Sequence, residues 1–176
     1  YRTTSDGSCH NCSIGKWSSD NVIFSNDACK YCPRGTWSDE TGLQNDCKEC
    51  PIGYNQKDEG QLNCDVCEVG HFQNNVRKAF CEQCPTGFHQ NTQGQSSCKY
   101  CPTGYNQKDK GQESCDICLK GQFQNVTSKT NCERCPRGTW SDETGLHYQN
   151  DCKECPIGYN QKDEVQLNCD VCEVGH

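Results

Sequence analysis

Thiol chemistry is the first question this chain raises. Twenty of its 176 residues are cysteine, and every one belongs to a Cys-x-x-Cys pair. The pairs begin at Cys9, Cys29, Cys47, Cys64, Cys81, Cys98, Cys115, Cys132, Cys152 and Cys169. Two thiols at this spacing can hold zinc, exchange dithiol for disulfide, or form structural bridges. Two such pairs separated by a gap in the mid-teens match zinc-ribbon spacing, but an intracellular zinc array would need five separate tetrathiolate sites here. Redox catalysis of the thioredoxin kind needs one pair at a helix start beside a βαβ unit, and ten pairs without helical periodicity do not supply it. Structural disulfides in an oxidising compartment fit best. The five histidines (His10, His71, His89, His147 and His176) form no pattern with a nucleophile, so no catalytic site and no cofactor are expected.

The elements that hold these cysteines must be small. Hydrophobic residues make up 31% of the chain, cysteine included, and only five Leu, five Ile and eight Val contribute to that total, with no Met. Ordering each residue costs about 1–2 kcal/mol of backbone entropy, which so little aliphatic surface does not offset. Covalent cross-links must supply the difference. No apolar run approaches the length of a membrane helix. A net charge of −7 with scattered Lys and Arg argues against nucleic acid as a partner. The chain starts at Tyr1, as a processed protein or a piece of one would.

The cysteines mark a repeat with its own grammar. Glycine follows the second cysteine by three at Gly15, Gly35, Gly53, Gly70, Gly87, Gly104, Gly121, Gly138, Gly158 and Gly175, which suggests positive φ or close backbone approach. All six prolines (Pro33, Pro51, Pro85, Pro102, Pro136 and Pro156) directly follow a second cysteine and suit the bend that opens a unit. An aromatic comes next (Trp17, Trp37, Tyr54, Phe72, Phe88, Tyr105, Phe123, Trp140, Tyr159), then a Gln or Ser. The aromatics read as the packing element of a minimal core. A second glycine falls mid-loop at Gly42, Gly60, Gly94, Gly111 and Gly145, as in a turn between two short strands. The expected fold is small, disulfide-rich and all-β: tandem short irregular hairpins stacked into an elongated rod or solenoid. At about 4.8 Å between paired strands, ten two-stranded units would span on the order of 100 Å.

Residues 1–8 read as the remainder of a preceding repeat or a linker. Repeats follow at 9–28, 29–46, 47–63, 64–80, 81–97, 98–114, 115–131, 132–151 and 152–168, with a truncated repeat at 169–176. A longer period sits above this one, because the units opening at Cys47, Cys98 and Cys152 are near-copies of each other. Residues 34–71 return almost verbatim as 137–176, with His147 and Tyr148 inserted, which implies recent duplication.

Two disulfide pairings are natural. In a ladder, the second cysteine of each pair joins the first of the next: Cys12–Cys29, Cys32–Cys47, Cys50–Cys64, Cys67–Cys81, Cys84–Cys98, Cys101–Cys115, Cys118–Cys132, Cys135–Cys152 and Cys155–Cys169. Cys9 and Cys172 are then left for links outside the segment. In interleaved modules, units pair by twos: Cys9–Cys29 with Cys12–Cys32, then Cys47–Cys64 with Cys50–Cys67. The period of three favours the ladder, because pairing by twos would give near-copies different roles.

The phrases CPTGYNQKDKGQESC (from Cys101) and CPTGFHQNTQGQSSC (from Cys84) resemble the ephrin-receptor-like cysteine-rich repeat, a relative of growth-factor-receptor and TNF-receptor cysteine-rich modules. Long tandem arrays of this kind are typical of surface proteins in algae and other protists. The resemblance covers nearly the whole chain from Cys9 and implies an extracellular location, disulfides and an elongated shape. The units at Cys9, Cys64, Cys115 and Cys169 lack the proline, which puts their local bend in question.

Two Asn-x-Ser/Thr acceptors for N-linked glycans occur, at Asn125-Val126-Thr127 and Asn11-Cys12-Ser13. The acidic pairs Asp39-Glu40, Asp58-Glu59, Asp142-Glu143 and Asp163-Glu164 lack the alternating spacing of a calcium loop and read as solvated turns. The functional expectation is a non-enzymatic structural segment of an extracellular filament, appendage or surface coat, able to self-associate. The alternative is the stalk or ligand-binding ectodomain of a surface receptor or adhesion protein.

Overall fold

The computed structural model describes residues 11–20, 28–161 and 167–172. They divide into two compact units, residues 1–82 with 92–97 and residues 83–91 with 98–176. Each unit consists of antiparallel hairpins with strands of two residues. The first unit contains Lys16–Trp17 with Lys30–Tyr31, Thr36–Trp37 with Lys48–Glu49, and Tyr54–Asn55 with Asp65–Val66. The second contains Phe88–His89 with Lys99–Tyr100, Tyr105–Asn106 with Asp116–Ile117, Gln122–Phe123 with Glu133–Arg134, Thr139–Trp140 with Lys153–Glu154, and Tyr159–Asn160 with Asp170–Val171. The second strand of every one of these hairpins is the pair of residues inside the next Cys-x-x-Cys.

A β-turn starts each hairpin. The amide of Thr36 donates to the carbonyl of Pro33 at 3.0 Å, and Tyr54, Phe88, Tyr105, Thr139 and Tyr159 donate likewise to the proline three residues earlier. Glycine occupies the third position with φ near +79° at Gly35 and Gly53, as a type II turn requires. Proline sits at the first position, whose amide the turn does not use. The prolineless units therefore keep the bend: Lys16 donates to Ser13, His71 to Glu68 and Gln122 to Leu119. Cys32 then donates to Gly15 at 2.9 Å, closing the hairpin, and Cys50 does the same to Gly35 and Cys118 to Gly104.

The interior departs from the sequence expectation. Of the aromatics after the glycine, only Phe123 is buried (3% exposed), whereas Tyr54 and Tyr159 are exposed. Half-cystines and glutamines fill the interior instead. Gln56, Gln73, Gln90, Gln107, Gln124 and Gln161 are all buried, with Ser18, Ser38 and Ser141 at the same place in the tryptophan hairpins. The side chain turned inward is the polar one three residues after the turn glycine, just past the two-residue strand. Its carboxamide bridges the loop: Gln73 Nε2 donates to the Phe80 carbonyl at 2.8 Å, and its Oε1 accepts from the Asn75 amide at 3.0 Å. Gln56, Gln107 and Gln124 repeat this pattern. Serine is too short to span the loop and bonds locally: the Glu40 amide donates to Ser38 Oγ at 3.2 Å, and Ser38 Oγ donates to the Glu40 carbonyl at 3.4 Å. The apolar cluster among the described residues is small: Phe123, Leu146, Cys135 and Cys152.

Inserted His147 and Tyr148 widen one loop. Both amides donate to Asp151 Oδ2, at 3.0 and 2.8 Å, and a single 3-10 turn, Gln149–Asp151, takes up the extra length.

The glutamine bridge yields a first prediction. Gln73→Leu keeps the volume but leaves the Phe80 carbonyl and the Asn75 amide without their partner, so it is expected to cost about 1–3 kcal/mol. Urea unfolding under non-reducing conditions measures this, and an unchanged midpoint would remove the glutamine from the account of the interior.

Candidate functional site

Nine disulfides are present among the described residues, each joining the second cysteine of one pair to the first of the next: Cys12–Cys29, Cys32–Cys47, Cys50–Cys64, Cys67–Cys81, Cys84–Cys98, Cys101–Cys115, Cys118–Cys132, Cys135–Cys152 and Cys155–Cys169. Their Cα atoms lie 5.6 to 5.9 Å apart, within the ordinary range. Each bridge staples the base of one hairpin. The second cysteine of the pair is the interior one, fully buried at Cys32, Cys50, Cys84, Cys101, Cys118 and Cys135. Cys172 is exposed and carries a free thiol, while Cys9 lies outside the described residues.

Within each unit, hairpins stack through their backbones by bonds that recur. In the first unit, the amide after the turn donates to the next hairpin: Gly15 to Ser38, Gly35 to Gln56 and Gly53 to Gln73, at 2.7 to 2.9 Å. The mid-loop amide reaches back to a buried cysteine two pairs earlier: Gly42 to Cys12, Gly60 to Cys32, Arg77 to Cys50 and Gly94 to Cys67. In the second unit, Gly87 donates to Gln107 and Gly104 to Gln124, while Gly111, Ser128 and Gly145 reach back to Cys84, Cys101 and Cys118.

These bonds press one backbone against another. A Cβ at Gly53 would fall on the Gly94 carbonyl, one at Gly35 on that of Arg77, and one at Gly87 on that of Ser128. This close approach, together with positive φ, explains the glycine that the sequence places in every unit. Gly138 and Gly158 differ. Both are exposed, and among the described residues nothing comes within 4 Å of a Cβ built there.

The residue before the second cysteine faces the mid-loop position. The Tyr31 ring lies over Gly60, Val66 meets Gly94, and Ile117 meets Gly145. Where that loop position is arginine, the facing residue is acidic: Arg77 Nη1 lies 3.4 Å from Glu49 Oε1 and 3.2 Å from Asp46 Oδ2. Arg77 and Ser128 hold positive φ without being glycine, at 59° and 62°.

Two of the acidic pairs have lysine partners. Lys48 Nζ lies 2.8 Å from Asp39 Oδ1, 2.6 Å from Glu40 Oε1, and 4.9 Å from the centre of the Trp37 ring, the residue it opposes across the hairpin. Lys153 repeats this with Asp142, Glu143 and Trp140. Among the described residues, no cluster of three His, Cys, Asp or Glu is placed to hold a metal. Asp163 and Glu164 lie outside the described residues. The hydrogen bond from Lys48 holds the Asp39 carboxyl below its ordinary value of 3.8, and the bond to Asp39 raises Lys48 above 10.5.

Of the glycan acceptors, Asn125 is exposed on a loop tip. Asn11 is also exposed, but its carboxamide sits against Gly42 and its neighbour Cys12 is buried in a bridge. The interior Gln/Ser row was visible in the sequence as a repeated letter. The stacking bonds had no sequence signal beyond the glycines.

Two outcomes follow. Gly53→Ala should lower stability by about 3 kcal/mol or more, because backbone must move. Gly138→Ala should cost only about 1–2 kcal/mol, from φ alone. Comparison of their urea midpoints checks the stacking geometry, and equal losses would refute it. For the lysine clamp, a depressed Asp39 pKa gives a contribution complete above 3.8 and lost as pH falls through the folded value, and a raised Lys48 pKa gives one complete below 10.5 and lost as pH rises. A carboxyl NMR titration should place Asp39 and Asp142 below 3.8, and Lys48→Met should return Asp39 alone toward it.

A family model described as tyrosine-protein kinase ephrin type A/B receptor-like matches residues 53–90, 75–111 and 104–146. Together the matches run from Gly53 to Leu146, more than half of the chain. No curated protein matches it. Its tandem bridges, two-stranded hairpins and Cys-Pro-x-Gly turns are accounted for by that match, and the chain belongs to the ephrin type A/B receptor-like family of cysteine-rich repeats.

Proposed function

We propose that this chain is a structural repeat segment of an extracellular filament, appendage or surface coat, able to self-associate. The family's receptor-like repeats and nine bridges fit an extracellular, oxidising location. No helix of the described residues is long and apolar enough to cross a membrane. Repeats of this kind are structural modules rather than catalytic ones.

The observation that carries the reading is the recurrence of one stacking contact: Gly15, Gly35, Gly53, Gly87 and Gly104 each lie under the main-chain carbonyl of a loop two hairpins further on. The outer surface repeats as well, since residues 34–71 return almost verbatim at 137–176 and Trp37 with Lys48, Asp39 and Glu40 recurs as Trp140 with Lys153, Asp142 and Glu143. A surface copied in this way supports association between like segments.

The test is assembly of the oxidised chain. Light scattering and electron microscopy should reveal concentration-dependent association. A chain that stays monomeric at high concentration and forms no fibres counts decisively against the reading.

The receptor-like family description favours a second reading, in which the repeats form the stalk or ligand-binding ectodomain of a surface receptor or adhesion protein. That reading requires a definite partner, recoverable from cell surfaces with the immobilised oxidised chain but not with the reduced one.

A further inference from the structure

We infer that Asn125 is the glycan acceptor of this chain and that Asn11 is not. The inference rests on the extracellular reading, since the transfer takes place in the secretory pathway.

The loop of each hairpin divides into parts that stack and a part that does not. In the hairpin opened by Gln122–Phe123, Gln124 is buried and its carboxamide spans the loop to Asn131. Ser128 donates to the Cys101 carbonyl at 2.9 Å, and its own carbonyl covers Gly87. Lys129 accepts from the Gln107 amide at 3.0 Å. Between these anchors stand Asn125, Val126 and Thr127, all exposed. The single internal tie across them is the Val126 amide, which donates to Gln124 Oε1 at 2.9 Å. The acceptor tripeptide therefore occupies the outer tip, where an added group meets solvent.

The same three positions are exposed in the neighbouring loops, at 74–76, 91–93 and 108–110. Two of these tips also begin with asparagine. Asn74 is followed two residues later by Val76, and Asn91 by Gln93, so neither has the hydroxyl an acceptor needs. Asn125 alone among these asparagines is completed, by Thr127.

Asn11 has the sequence without the place. Cys12 is 1% exposed, bridged to Cys29, and its carbonyl accepts from the Gly42 amide at 2.7 Å. The Asn11 side chain lies against Gly42 through Cγ and Oδ1, so the acceptor is held on the stacked loop and not at an outer tip.

The transfer balances simply. The carboxamide Nδ2 of Asn125 attacks the anomeric carbon of a lipid-linked oligosaccharide pyrophosphate. A new N–C bond forms, the C–O bond to pyrophosphate breaks, the lipid pyrophosphate leaves, and Nδ2 gives up one proton.

The chain should be secreted from cultured eukaryotic cells behind a leader peptide, and its intact mass compared before and after peptide-N-glycosidase treatment. One glycan is expected. Asn125→Gln and Thr127→Ala should each remove it, Thr127→Ser should retain it, and Asn11→Gln should leave the mass shift unchanged. A secreted, fully bridged chain bearing no glycan at Asn125, or one bearing a glycan on Asn11, overturns the inference and leaves the extracellular reading standing. A chain alkylated without reductant at bridge cysteines such as Cys32 and Cys47 overturns the extracellular reading, and this inference with it.

Discussion

Backbone packed directly on backbone is the constraint from which the rest of this structure follows. Within each unit, turn glycines (Gly15, Gly35, Gly53, Gly87 and Gly104) lie under the carbonyl of a loop two hairpins on, and mid-loop amides reach back to a buried cysteine carbonyl. No side chain can stand between surfaces that close. A layer of aliphatic residues, the usual filling of a β protein, has no room to form. What fits is a half-cystine, whose sulfur is also a cross-link, and a glutamine flat enough to satisfy two loop groups at once.

This constraint also decides how stability is distributed. A two-residue antiparallel pairing is too short to persist alone in water. Each backbone bond adds a net of about 0.5–1.5 kcal/mol, and a bridge over a loop of this size about 3 kcal/mol in the chain-entropy account. Neither suffices for one hairpin, but both recur at every step, so each hairpin is held chiefly by those beside it. That is the nearest-neighbour behaviour of solenoid repeats. The surface ion pairs contribute little, being exposed and screened. Their value is geometric, since a lysine between a tryptophan face and two carboxylates fixes the outer edge of a hairpin that has almost no strand.

Much of the fold was legible because its special residues have special backbone needs. Cysteine spacing gave the hairpin length, and glycine three residues after each pair marked the positive-φ turn at Gly35 and its equivalents. The family resemblance lay in the same residues, around CPTGYNQKDKGQESC. The aromatic row misled, because the usual rule that large apolar side chains go inward assumes an interior wide enough to take them. Here the inward position is the third residue after the turn glycine, so Tyr54 is exposed and Gln56 is buried. Proline misled in a milder way: it sits at Pro33 and Pro51 where the turn's amide is not used, so its absence at Glu68 or Leu119 changes nothing. The stacking bonds could not be read at all, because they join main-chain atoms and leave no trace in side-chain chemistry beyond the glycines that permit them.

A fold held this way tolerates much variation. It accepts arginine or serine for the mid-loop glycine at 77 and 128, serine for the interior glutamine at 38 and 141, and leucine for proline at 119. Near-verbatim return of residues 34–71 at 137–176 is therefore more than the backbone requires. Much of what is repeated is outer surface: Trp37 with Lys48, Asp39 and Glu40, and again Trp140 with Lys153, Asp142 and Glu143. Two copies of one charged, aromatic edge on a scaffold indifferent to their identity place the information of this sequence on its outside. Repetition here is therefore better understood as a property of the surface than of the core.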